Sequence, residues 1–176
     1  MGGIQITLKD WVSKMTISYD LYAETNPAFV SFLLYRFVKS FSDGTSATPH
    51  ISLAYLAVPL AMSERLETSF ASTNATTGFL AWLNRFPDSR VGLQRDLAYS
   101  KHVTAAGLRA ALHSQLLNIK PDGTLGIGVA KKPPENAKGK LSSGPKHAVS
   151  RAERLGVWMS KAGGPALIFS ALEVIP

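Results

Sequence analysis

Histidine and lysine offer the most chemistry in this chain, and their spacing decides what that chemistry can be. His50, His102, His113 and His147 have no cysteine or carboxylate at ligand spacing, and His113 follows Arg109 by four residues, a poor neighbour for a metal cation. The stretch Gly139-Lys140-Leu141-Ser142-Ser143-Gly144-Pro145-Lys146 has the residue types of a phosphate-binding loop. Pro145, however, stands where the lysine belongs, and no strong strand leads into it. Gly123, Gly126 and Gly128 fit a hairpin better than the strand-to-helix turn of a dinucleotide site. Ser114, Ser142 and Ser150 lack a nucleophile elbow, and the absence of cysteine removes thiolate ligands, cysteine nucleophiles and disulfides. The expectation is a protein that is not an enzyme and uses no cofactor or metal.

Binding is better provided for. The net charge of +7 is concentrated between Lys131 and Lys161, where eight basic residues face only Glu135 and Glu153. Lys131, Lys132, Lys138, Lys140 and Lys146 lie among Pro, Gly and Ser with hardly a large apolar residue, which predicts a solvated, mobile basic loop over 131–146. Such lysines neutralise phosphates without reading sequence; the same charge attracts acidic protein surfaces, and a solubilising linker has the same composition. Arg109 and His113 fall with His102 on one side of a predicted helix and form a second candidate DNA contact, with a plain solvated face as the alternative.

These residues need elements to position them. Asn26 is a good N-cap and Pro27 suits a first helical position, so a helix is predicted from Asn26 to about Ser40, ending at Ser42-Asp43-Gly44. Phe29, Val30, Phe32, Leu33, Leu34, Tyr35, Phe37 and Val38 leave it almost no polar face, and burying each is worth roughly 1.5 to 3 kcal/mol. A second apolar helix is predicted over Ile51 to Leu60, broken near Pro59, and a third, short one around Leu80-Ala81-Trp82-Leu83. Asp88 or Ser89 caps a helix carrying Val91, Leu93 and Leu97, and Tyr99-Ser100-Lys101 separates it from a longer helix, His102 to about Leu117. Two strand-like runs then flank Pro121-Asp122-Gly123. Helix, turn, helix and hairpin is the order of a winged helix-turn-helix unit. A helix from His147 to Ala162 and an apolar tail from Ala166 to Ile175 follow.

The fold class is therefore mainly α with a small β hairpin, a compact helical domain containing a winged helix-turn-helix-like unit. It divides into an N-terminal segment, 1–25, of unclear role; a helical core lobe, 26–87; the winged-helix-like unit, 88–130; the basic loop, 131–146; and the terminal helix and tail, 147–176. The run Ile51 to Met62 is too short to cross a bilayer, and no secretory signal is visible, so a cytoplasmic protein without membrane contact is expected.

Several landmarks occur together. They are Asn26-Pro27-Ala28-Phe29 before Leu33-Leu34-Tyr35, then Leu56-Ala57-Val58-Pro59-Leu60, Leu80-Ala81-Trp82-Leu83 and Arg90-Val91-Gly92-Leu93, followed by the Asp-Gly hairpin. Ala162-Gly163-Gly164-Pro165-Ala166-Leu167-Ile168-Phe169 and Leu172-Glu173-Val174-Ile175-Pro176 close the set. In order and spacing they resemble the middle component of three-component ABC systems, including the small accessory subunit of Lamassu-type antiphage complexes. The resemblance spans about residues 26 to 176. It implies a noncatalytic bacterial subunit between an SMC- or Rad50-like ABC ATPase and an effector, often a nuclease, that is held inactive until foreign DNA is sensed. On that reading Trp158, Phe169, Leu172 and Ile175 are the expected partner contacts, with core packing as the alternative for each. A free-standing winged-helix DNA-binding regulator is the competing functional class.

Overall fold

The computed structural model describes residues 26–130 and 132–175; the expectations for residues 1–25 and for Lys131 lie outside the described residues. Helix α1, Pro27–Thr45, starts where the Asn-Pro pair predicts: Asn26 is extended, and its Oδ1 accepts the Ala28 amide at 2.9 Å. The helix runs past Ser40 because Lys39 pairs with Asp43 one turn on at 2.8 Å and Gly44 fits against the Ser160 side chain. It ends at Ser46, which is left-handed at φ 59° and donates its amide to the Ser42 carbonyl.

Helix α2, Ser52–Met62, contains Pro59 inside it instead of breaking there. Almost all of it is buried, and that packing outweighs the roughly 3 kcal/mol cost of an interior proline. Helices α3, Glu67–Ala71, and α4, Phe79–Arg85, are short and carry Phe70, Phe79 and Trp82 into one aromatic cluster.

The largest departure from expectation comes next. Residues 87–90 form a 3-10 turn, Gly92 takes a left-handed φ of 74°, and one helix, α5, runs unbroken from Leu93 to His113. Tyr99-Ser100-Lys101 therefore sits in mid-helix, and the predicted helix-turn-helix over 88–117 is corrected to a single helix. The three residues are polar or half-polar but include no Gly or Pro, so nothing in them stops helical hydrogen bonding. The hairpin forms as expected: β1, Leu117–Ile119, pairs antiparallel with β2, Leu125–Ile127, in the register Leu117 to Ile127 and Ile119 to Leu125. Asp122 Oδ1 accepts the Thr124 amide at 3.0 Å and its hydroxyl at 2.7 Å across the turn. The hairpin is tied to the helices by Leu125 N–H donating to the Pro49 carbonyl at 2.8 Å and Ile51 N–H donating to the Gly123 carbonyl at 2.9 Å.

Helix α6, Ser143–Ser160, and α7, Pro165–Leu172, complete the domain, which is mainly helical with one two-stranded hairpin. α1 lies between α5 and α6, and α2 packs against both of them as well. Two glycines set these distances. A Cβ on Gly107 of α5 would overlap the Val30 side chain, and one on Gly156 of α6 would stand 2.5 Å from the Phe37 carbonyl oxygen.

Gly156→Ala is accordingly expected to lower stability by about 1–3 kcal/mol through overpacking, read as a lower urea midpoint at unchanged slope. Gly144→Ala, in the first turn of the same helix with open space around it, should be neutral or slightly stabilising. The turn is also pH-sensitive. Hydrogen bonds from Thr124 hold the Asp122 carboxyl below its ordinary value of 3.8. Its contribution is present above the unfolded value and lost as pH falls through the lower folded one, so the Thr124 amide resonance should move only in that acid range.

Candidate interaction site

The chain leaving the hairpin returns to the end of α5. Gly128 N–H donates to the Leu116 carbonyl and Ala130 N–H to the Gln115 carbonyl, both at 3.0 Å, with Gln115 in the left-handed region at φ 55°. Lys132 follows two residues later, within about 7 Å of chain. Arg109 and His113 are exposed on the last two turns of α5, so the structure brings these two and Lys132 to one end of the domain.

The remaining lysines are arranged differently. Residues 135–140 form a 3-10 helix, and Lys146 already belongs to the first turn of α6, so regular structure covers much of the stretch expected to be a loop. Lys138 Nζ meets Glu153 Oε2 of α6 at 2.6 Å, and Glu153 Oε1 accepts from Arg36 Nε of α1 at 2.6 Å. Glu153 thus joins the segment to two helices at once. Lys140 and Lys146 are exposed. Two further cations from the basic run serve the interior: Arg151 Nε donates to the Ala61 carbonyl at the end of α2 at 2.5 Å, and Arg154 Nη1 to the Thr73 carbonyl at 2.8 Å and to that of Phe70. Partial burial beside the Phe70 and Trp158 rings pulls the Arg154 pKa below its ordinary value.

The four residues expected to meet a partner separate sharply. Trp158 is 1% exposed, stacks on Phe70 with ring centroids 5.6 Å apart, and donates its Nε1 to the Asn74 carbonyl at 3.0 Å. Leu172 is equally enclosed, and Phe169 shows only an edge. For Trp158 and Leu172 the core alternative is what this structure realises, because a fused aromatic cluster and an apolar helix face both need burial. Ile175 is 82% exposed.

Ile175 and the edge of Phe169 help line a groove of about 420 Å³ whose other walls are Tyr55 of α2 and Leu97, Ala98 and Lys101 of α5. Gln94, Leu97, Ala98 and Lys101 recur at the i, i+3, i+4, i+7 spacing of one helical stripe. No carboxylate lines the groove. Breaking α5 at Tyr99 hides this stripe in the sequence; read as one helix, its periodicity is visible. Tyr99, 78% exposed, lies on the opposite flank beside Asp96 and Arg95. Among the described residues no group of three metal-ligating side chains comes together, and no helix is long and apolar enough to cross a membrane.

The sequence matches the family described as ABC-three component (ABC-3C) system Middle Component 3 over residues 16–176. This chain belongs to that family. The match reaches back beyond Asn26, so ten residues of the N-terminal segment share the family pattern, which extends the resemblance expected from residue 26 onward. No curated protein and no solved structure matches the chain. For this ABC-3C middle component, the geometry makes Glu153 the tie between the basic segment and the core. Glu153→Gln should destabilise the fold by about 1–3 kcal/mol, between the exposed and buried limits for ion pairs. Hydrogen exchange should then rise at residues 135–140 before it rises in α1; uniform protection would contradict the tie.

Proposed function

We propose that this middle component is a noncatalytic accessory subunit of a bacterial antiphage or antiplasmid complex of the Lamassu kind. It bridges an SMC- or Rad50-like ABC ATPase and an effector, a nuclease on this reading, and helps keep the effector inactive until foreign DNA is sensed. The observation that carries the reading is the family match over nearly the whole chain. The apolar groove rimmed by Ile175 supports it as a docking surface, since Gln94, Ala98 and Lys101 of its stripe are exposed while Leu97 packs partly on the core. Arg109, His113, Lys132, Lys140 and Lys146 support a second contact, to DNA phosphates, in which no base is read. Lys138 is left out of that set because Glu153 engages it.

Coexpression with the products of adjacent genes tests the bridge. The chain should copurify with the ATPase, and Ile175→Asp combined with Ala98→Asp should release it while leaving its melting temperature unchanged. Recovery of the chain alone, as a dimer that footprints a defined DNA site, would instead support a free-standing regulator. For DNA, replacing Lys132, Lys140 and Lys146 by Ala should reduce the slope of log affinity against log salt by about 1 for each phosphate no longer neutralised. Replacing Lys138 should leave the slope in place, and an unchanged slope in the triple variant removes the DNA assignment.

A further inference from the structure

Residues 135–140 form a surface strap with no buried residue, and a Cβ on Gly139 would meet nothing within 4 Å. Apolar packing therefore contributes little to holding them. The strap is fixed at its ends: before it, Ala130 N–H donates to the Gln115 carbonyl, and after it, Leu141 is partly buried against the core. Between those points its ties to the helices are electrostatic. Lys138 Nζ meets Glu153 Oε2 at 2.6 Å, and among the described residues no other side-chain hydrogen bond or ion pair joins 135–140 to the helices. Lys39 of α1 has its pKa raised first by its hydrogen bond to Asp43, and Glu135 of the strap adds a smaller attraction.

Glu153 has two cationic partners and needs only one. Its Oε1 accepts from Arg36 Nε at 2.6 Å while Oε2 serves Lys138, so the two cations use different oxygens. When Lys138 leaves, Arg36 still neutralises the carboxylate, and no half-buried charge is stranded. The lysine side chain is 24% exposed and the carboxylate 20%, which lets water and small ions reach the pair and screen it. A carboxylate on an ammonium also occupies the place of a phosphate oxygen, because both are anionic acceptors for the same N–H donors. Lys132 and Lys140, exposed on either side of Lys138, have no such internal partner among the described residues.

We propose that Glu153 is an autoinhibitory contact, which in the resting subunit withholds Lys138 from nucleic-acid phosphate. The strap is its latch, held by charge, and opening it adds Lys138 to Lys132 and Lys140. The withholding rests on the phosphate contact proposed above; the latch does not. Opening is local, because Ala130 and Leu141 keep both ends of the strap in place.

Hydrogen exchange on the full chain reads the latch. Raising salt from about 50 to about 200 mM should speed exchange at the 135–140 amides while α1 and α6 stay protected, because screening weakens the tie and not the core. A rate flat with salt overturns the latch. Binding to a short mixed-sequence DNA duplex reads the withheld lysine. Glu153→Gln should steepen the slope of log affinity against log salt by about 1 and raise affinity about tenfold at about 0.1 M salt, one more phosphate being neutralised. Adding Lys138→Ala to that variant should return the slope to its starting value. An unchanged slope in Glu153→Gln, or a steeper one that survives in the double variant, sinks the withholding. The Lys132, Lys140 and Lys146 triple variant separates this inference from the reading beneath it. If the triple variant loses slope and Glu153→Gln gains none, the DNA contact stands and the autoinhibitory contact falls. If the triple variant loses nothing, the DNA contact falls and takes the withholding with it, while the salt series still decides the latch.

Discussion

Gly156 lets the backbone of α6 come against the backbone of α1, with only a hydrogen where a methyl group would collide with the Phe37 carbonyl, and Gly107 does the same for α5 against Val30. Everything else in the domain depends on this double contact. α1 is apolar on all but one side, where Arg36, Lys39, Ser40 and Asp43 recur at helical spacing, so it is stable only if neighbours enclose the rest of it. Two helices at ordinary separation leave seams; two helices drawn in by glycine, with α2 closing against both, do not. The entropic cost of those glycines, roughly 0.5–1 kcal/mol each relative to alanine, is smaller than the burial they permit.

Such tight enclosure strands helix ends in the interior, where their last carbonyls lack partners. Arginine answers the problem repeatedly. Arg151 reaches the end of α2, Arg154 the end of α3, and Arg90 both the Leu83 carbonyl in α4 at 3.3 Å and the Ala171 carbonyl in α7 at 2.8 Å. Each places a cation at the negative end of a helix and satisfies an orphan acceptor with a planar donor that tolerates partial burial better than an ammonium. Across the basic run Arg151 and Arg154 hold helices together and Lys138 is held by Glu153, while Lys132, Lys140, Lys146 and Lys161 stay exposed. Net charge alone overstates the surface available to a polyanion, since composition counts both groups alike.

Local signals are legible in the sequence where one residue type has one meaning. Asn26-Pro27 marks the start of α1, and Asp122-Gly123, with Gly123 at φ 78°, marks the hairpin. A polar residue is a poorer guide to a boundary. Tyr99-Ser100-Lys101 interrupts an apolar pattern but not a hydrogen-bond ladder, and Ser42-Asp43-Gly44 continues a helix because Lys39 and Ser160 give each turn something to meet. Burial of Trp158 is not legible either. Its position on an amphipathic helix fits interface and core equally, and only the tertiary approach of Phe70 and Trp82 separates them.

The first half of α5 then has a particular physical status. From Gln94 to His102 it borders the Ile175 groove on one flank, where Ala98 is exposed, and a polar depression lined by Arg65, Arg95 and Asp96 on the other, where Tyr99 is exposed. Its anchors are Leu93, buried at the start, the Arg65 contact to Asp96, Leu97 packed partly on the core, and Gly107 against Val30 at the end. Helical hydrogen bonds span the interval, so the exposed side chains bear almost none of the folding free energy. Residues free of that duty can be chosen for contact with another molecule without weakening the domain that carries them.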